Sequence, residues 1–206
     1  LEELRFIACD VDMAFLVEEV PRALEQTVEG VRRVSAIVSA MKDFGRTDSR
    51  EKTIADLNRC VESTLTVAQN ELKYVANVQL SLGALPLIPC FPGELSQVVL
   101  NLLVNAAHAI AERQQTQPGR GRIQVSTSHH GGRVTVSVAD DGAGIPREHQ
   151  NRIFEPFFTT KAVGAGTGQG LAISRSIVVE KHGGTLSFES TPGVGTTFVV
   201  SLPHDE

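Results

Sequence analysis

Residues 94–113, ELSQVVLNLLVNAAHAIAER, carry a polar stripe with unusual chemistry for a helix surface. Gln97, Asn101, Asn105, His108 and Glu112 fall at spacings of four, four, three and four, so on a helix they share one face. A solvated face is the plainer reading. Such faces are normally written in Lys, Glu and Arg, however, and each mid-helix asparagine costs roughly half a kcal/mol relative to Ala. A carboxamide oxygen is a hard ligand suited to Mg2+, an ion that keeps several waters and shares phosphate oxygens. The stripe therefore fits a divalent cation held between Asn105 and a polyphosphate.

A second constellation lies in the window DDGAGIPREHQNRIFEPFFTTKAVGAGTGQGL, which starts at Asp140. Asp140 ends the strand-like VTVSVAD, so its carboxylate sits at a strand tip beside the helix stripe. There it can accept from an exocyclic amino group, which favours adenine over guanine. Gly142 and Gly144 let a base pack against backbone, and Asp141 reads as a solvated neighbour. In FEPFFTTK, Phe154, Phe157 and Phe158 read as an apolar plug beneath a loop edged by Thr160 and Lys161. Lys161 is either a phosphate contact or merely solvated. GAGTGQG, with glycines at 164, 166, 168 and 170, runs into an apolar helical segment, and its backbone N–H groups can wrap an anion. No Gly-Lys-Ser/Thr follows and no βαβ unit opens there, which excludes a Walker loop and a dinucleotide fingerprint.

The elements needed to position these groups are visible in the hydrophobic pattern. Val20, Leu24, Val28, Val31, Val34, Val38 and Met41 recur every three or four residues, predicting a bundle-type helix of about 24 residues and about 36 Å that requires partner helices. The polar run GRTDSREK ends it. A first domain is thus expected over 1–46 and a second over 47–206. In the second, Val61, Leu65, Ala68, Leu72 and Val75 predict an amphipathic helix after a short strand near Thr53–Leu57. Val78–Leu82 and Leu85–Pro89 read as strands around a Gly83 turn. GRIQVSTSHHGGRVTVSVAD alternates at period two on both sides of Gly131-Gly132, a strong hairpin signal. A helix from about Gly170 stops at Gly183-Gly184, and TLSFES–TPGVGTT–FVVSLP forms a last hairpin. Helices interleaved with mostly hairpin-linked strands predict the α/β class, as a two-layer sandwich.

Composition sets the bounds. With 206 residues, 41% hydrophobic and 21% charged, the chain can bury a core, and a net charge of −5 without a basic run gives no indication of a nucleic-acid surface. Three dispersed cysteines suggest reduced structural thiols in a cytoplasmic setting. No apolar run has membrane-spanning length, although a parent protein anchored in a membrane stays open. The chain starts at Leu1 rather than Met, as a fragment would.

NLLVNAAHAI, DDGAGI, FEPFFTTK, GTGQGL and GVGTTF, in this order and spacing, closely resemble the N box, first glycine box, F box, second glycine box and third glycine motif of sensor histidine kinases. These belong to the Bergerat-fold superfamily shared with gyrase, mismatch-repair and heat-shock chaperone ATPases. The resemblance covers about residues 52–203. It implies a mixed sheet with three main helices, ATP and Mg2+ as ligands, Asn105 as the Mg2+ ligand and Asn101 supporting it near the phosphates. His108 takes the place where many relatives carry a phosphate-contacting lysine. The resemblance further makes Asp140 the adenine reader, with Gly142 and Gly144 shaping the base pocket, and implies that Ile145 and Thr196 are ATP-binding. Gly166, Gly168 and Gly170 belong by the same resemblance to the ATP lid, and Thr160, Lys161, Thr167, Gln169 and Leu171 are implied as further ATP-binding residues.

The helix at 20–44 resembles the second helix of the dimerisation and phosphoacceptor hairpin, implying a homodimeric parent. None of the six histidines is followed by an acidic residue with a proline a few positions on, so the acceptor histidine is expected on a partner helix outside this chain. The resemblance implies relay to the aspartate of a response-regulator receiver domain. Three other functions compete: a clamp ATPase of the gyrase and chaperone type, a protein serine or mitochondrial-type kinase, and a nucleotide-sensing scaffold. Clamp ATPases keep a water-activating glutamate one turn before the Mg2+ asparagine, where this chain has Asn101. The bundle helix and FEPFFTTK favour a histidine kinase over the other kinases, and complete glycine boxes weigh against a scaffold.

Overall fold

Strict alternation of apolar and polar residues commits a strand to a sheet with one buried face, and the two longest alternating runs of this chain flank a Gly-Gly pair. The computed structural model describes residues 19–24, 27, 51–160 and 168–204. The chain divides into two compact units, Leu1–Lys42 and Asp43–Glu206. In the first, residues 19–24 are helical, with Val20 and Leu24 exposed, and Thr27 Oγ1 donates back to the Ala23 carbonyl. Most of the expected 20–44 helix lies outside the described residues.

The second unit runs β1 (Thr53–Ala55), α1 (Leu57–Leu72), β2 (Ala76–Leu82), β3 (Ile88–Cys90), α2 (Pro92–Gln114), β4 (Gly121–His130), β5 (Arg133–Asp140), α3 (Arg147–Gln150), α4 (Gly170–Ser176), β6 (Thr185–Thr191) and β7 (Gly195–Pro203). A π-helical turn over Ile177–Lys181 extends α4. Five strands form one mixed sheet in the order β2-β4-β5-β7-β6, parallel only between β2 and β4. The β4–β5 hairpin turns on Gly131 and Gly132, both at positive φ (59° and 67°), as a two-residue turn of matching twist demands.

Register aligns Val125 with Val138 and Val138 with Phe198, while Val136 and Leu186 both pair with Val200. These side chains form the buried face, against which α1, α2 and α4 pack. The opposite face carries Ser126, Ser137, Thr197 and Ser201, giving the expected two-layer α/β sandwich with three main helices. Helix α2 is its spine: Leu102, Leu103 and Ile110 are fully buried. Asp56 caps α1, its Oδ1 accepting from the N–H groups of Asn58 and Arg59.

Two local readings need correction. The strands on either side of Gly83 do not pair with each other: β2 joins the main sheet beside β4, and β3 pairs with β1 in a separate two-stranded sheet. Asp141 is not merely solvated. It pairs with Arg113 at 3.2 Å and accepts from the Arg122 N–H at 2.8 Å, tying the end of β5 to the C-terminal turn of α2.

Candidate nucleotide-binding site

The α2 stripe faces a cleft of about 580 Å³, a size suited to a small molecule. Asn101, Asn105, His108 and Glu112 line one wall. Asp140, Gly144, Ile145 and Thr196 line a second, and Phe158, Thr160, Gly168, Gly170 and Leu171 a third. Residues more than ninety positions apart are thus brought to one concavity because α2 lies across the sheet at the tip of β5.

Backbone packing builds the Asp140 end. Ala143 N–H donates to the Ala109 carbonyl on α2 at 2.9 Å, and Gly193 N–H donates to the Ala143 carbonyl at 2.7 Å. The loop after β5 is therefore clamped between a helix and the β6–β7 turn. A Cβ on Gly144 (φ 70°) would lie 2.3 Å from the Thr191 carbonyl oxygen, and one on Gly195 would lie 2.0 Å from that of Asp140. Only glycine allows these approaches. Gly142 does not line the cleft; it is buried beneath the wall, where a Cβ would meet Ala109 at 2.6 Å. Ile145 N–H donates to Ser190 Oγ at 2.8 Å, and Gln150 Nε2 holds the Ile145 carbonyl at 2.9 Å.

Asp140 Oδ1 accepts from the Gly142 N–H at 2.8 Å. Burial pushes its carboxyl up to about 6, opposed by the backbone N–H groups of Gly142 and Thr196. A half-buried carboxylate with unused acceptor capacity, at a wall of close-packed main chain, is suited to an amino donor on a flat ring.

At the other end, Asn101 is half-buried, its Nδ2 donating to the Gly170 carbonyl at 3.1 Å and to Ser174 Oγ at 3.3 Å. Asn105, one turn on, keeps its carboxamide free of hydrogen bonds among the described residues and lines the cleft. His108 is exposed at the rim. Gln169 is the residue before α4, exposed and outside the lining. Lys161, Gly166 and Thr167 lie outside the described residues. Among the described residues no group of three or more His, Cys, Asp or Glu side chains could hold a metal ion. A single carboxamide oxygen in an open cleft fits Mg2+ if phosphate oxygens and water complete its shell.

The phenylalanine plug is incomplete. Phe154 and Phe158 pack against the core, but Phe157 is 71% exposed at positive φ (66°). His149 on α3 and Ile153 in the turn after it also line the cleft, and an element of four residues followed by a turn carries no periodic signal. Ala109 on α2 also faces the cleft and backs Gly142.

Over residues 92–206 the sequence matches the family described as histidine kinase-, DNA gyrase B- and HSP90-like ATPases. The chain belongs to this family. Among curated relatives it is 36% identical over 178 residues to the sensor histidine kinase ZraS of Escherichia coli K12, covering 83% of this chain and 35% of that protein. It is 32% identical over 186 residues to the signal transduction histidine-protein kinase AtoS of the same organism, covering 87% of this chain and 28% of that protein. The chain thus spans about a third of the length of the curated relatives it matches. Among solved structures, the nucleotide-free catalytic domain of histidine kinase ThkA aligns with a TM-score of 0.64 at 28% identity, covering 74% of this chain and 95% of that one. The mycobacterial sensor histidine kinase MprB aligns with a TM-score of 0.62 at 26% identity, covering 74% and 97%. Two-layer packing with a mixed five-stranded sheet is accordingly the Bergerat fold of this ATPase family. No helix among the described residues is long and apolar enough to cross a membrane.

Proposed function

We propose that the chain is the ATP-binding catalytic region of a sensor histidine kinase, which passes the γ-phosphoryl group of ATP to a histidine on another segment of the parent protein, for relay to a receiver-domain aspartate. What carries the reading is one cleft in which Asn105, Asp140 and the Gly168–Leu171 segment converge. The adenine amino group meets the Asp140 carboxylate, and its ring lies against the main chain of Gly144. Ile145 and Thr196 close the base end, and the polyphosphate extends toward Asn105, His108 and Gly170. Asn105 would hold Mg2+, which when bound neutralises charge on the transferring phosphoryl group. The chain's own part is then positioning: base at one end, phosphates oriented along α2, and an open side for the incoming imidazole. In this reading the domain works in the cytoplasm as part of a dimeric parent.

Hydrolysis is less well supported. Asn101 stands where a water-activating carboxylate would be needed, and its amide nitrogen is committed to Gly170 and Ser174.

Phosphotransfer in trans tests the reading. The chain is incubated with Mg2+, γ-labelled ATP and the acceptor hairpin of the parent. Acid-labile, base-stable label on the hairpin histidine is expected, and none on this chain alone. Label on one of the chain's own six histidines would refute the acceptor assignment.

A further inference from the structure

The Ser174 hydroxyl lies outside the cleft lining, yet it is joined to it. Ser174 is fully buried in the last turn of α4, and its Oγ donates to the Gly170 carbonyl at 2.8 Å. Alone, that bond is the ordinary back-bond of a helical serine to the carbonyl four residues before it. Here a third group completes it. Asn101 Nδ2 reaches across from α2 to the same Gly170 carbonyl at 3.1 Å and to Ser174 Oγ at 3.3 Å. The two acceptors are themselves bonded at 2.8 Å, so both lie on one side of the carboxamide nitrogen and share its N–H donors. The three groups close a triangle, and Asn101 itself lines the cleft.

The triangle has one foot on each of two walls. Asn101 and Asn105 sit one turn apart on α2, while Gly170 and Leu171 begin α4, and all four line the cleft. Further along, the same helix pair is held again. Lys181 pairs with Glu94, and the His182 ring accepts from the Phe91 N–H at 3.1 Å while hydrogen-bonding the Ile177 carbonyl at 2.8 Å. Those contacts flank the N-terminal end of α2, away from the lining. They hold α4 to α2 whether or not the triangle forms, so the triangle has a local task.

We propose that Ser174 is a positioning residue: together with Asn101 it latches the first turn of α4 to α2, fixing the distance between Gly170–Leu171 and Asn105 across the phosphate end of the cleft. The inference rests on the nucleotide reading above and deepens it. It assigns Ser174, which touches no ligand, to the part of the affinity that comes from the phosphates and not the base. The hydroxyl serves as a relay atom. It accepts from Asn101 and donates to Gly170, so neither a pure donor nor a pure acceptor of the same size can take its place. At full burial no water replaces it.

The test compares AMPPNP with adenosine, both in Mg2+, by displacement of a fluorescent adenine nucleotide from the chain. In the wild-type chain AMPPNP binds more tightly than adenosine, and this ratio measures the phosphate contribution. Ser174→Ala is expected to weaken AMPPNP about three- to tenfold, the size of one lost buried hydrogen bond, with adenosine unchanged. Ser174→Cys, of similar shape but with a weak donor, falls between and guards against a misfolded alanine variant. Asn101→Ala and the double variant Asn101→Ala/Ser174→Ala bind AMPPNP equally, because the latch fails as a unit. Equal loss for both ligands, or no loss for AMPPNP, overturns the latch and leaves the nucleotide reading standing. A wild-type chain that binds neither ligand overturns the nucleotide reading and the latch with it.

Discussion

Replacing Asp140 with asparagine should make this protein more stable and unable to hold adenine nucleotides. The carboxyl is raised from 3.8 to about 6, chiefly by burial. A shift of about two units is worth about 3 kcal/mol at 1.36 kcal/mol each. The sign follows from proton uptake: a group with a raised folded-state value binds its proton more tightly folded than unfolded. Ionisation therefore costs stability at pH 7.5, and the cost is relieved as pH falls through about 6 toward 3.8. Asparagine has the same outline, carries no charge and can still accept from the Gly142 N–H, at present a 2.8 Å bond. After allowance for desolvating the amide, a gain of about 2 kcal/mol is expected at pH 7.5. For a domain of this size it raises the melting temperature by about 4–8 °C. By pH 4.5 the wild-type carboxyl has regained about 2 kcal/mol by protonation, so the advantage should nearly vanish. Differential scanning calorimetry without ligand at the two pH values reads the difference, and titration calorimetry with ATP reads the loss of binding. An asparagine variant less stable at pH 7.5, or equally stabilised at both, would refute the burial argument. Tight ATP binding by that variant would refute the base assignment.

Asn105→Ala should remove the Mg2+-dependent part of ATP affinity, about tenfold or more for a charge-assisted contact, while affinity measured in EDTA stays near wild type. His182→Ala leaves the Phe91 N–H unpaired and should cost about 1–3 kcal/mol at pH 8 by urea unfolding. Burial holds the His182 ring below its ordinary value of 6.5, so its contribution is complete above that pH and is lost as pH falls through the folded-state value; the gap between wild type and variant should narrow on acidification. Leu103→Ala, at a fully buried position on α2, should cost about 3 kcal/mol in the same assay, and a loss under 1 kcal/mol would contradict the place given to α2 in the core.

The α2 stripe was legible because asparagines are poor helix formers, so two of them in mid-helix imply a job other than solvation. The β4–β5 hairpin was legible because register and turn chemistry are both local, written in alternation around Gly131-Gly132. What escaped is mostly non-local. Parallel pairing of β2 with β4 spans β3 and α2, and nothing in VQLSLGALPLIPC separates that outcome from a hairpin around Gly83. Asp141 beside Asp140 looks like a second copy of one signal, and only the fold places Arg113 against it. Ser174 reads as a neutral helical residue, since the asparagine it serves is 73 positions away. The exposed, positive-φ Phe157 went unseen for another reason: three phenylalanines in five residues look like core, and the backbone turn that expels the middle one leaves no mark in composition.

The clamped loop at the Asp140 end limits how this pocket could be reshaped. Gly144 in its wall and Gly195 behind it are main chain meeting main chain, so hydrogen is the only substituent those positions admit. A pocket bounded by side chains can be enlarged by trimming them; one bounded by peptide groups has nothing to trim. A variant meant to accept a bulkier ring, such as an N6-substituted analogue, would have to be sought at Ile145 and Thr196, where side chains still border the space. Libraries built on the glycines would return chains that cannot close the β6–β7 turn over the loop.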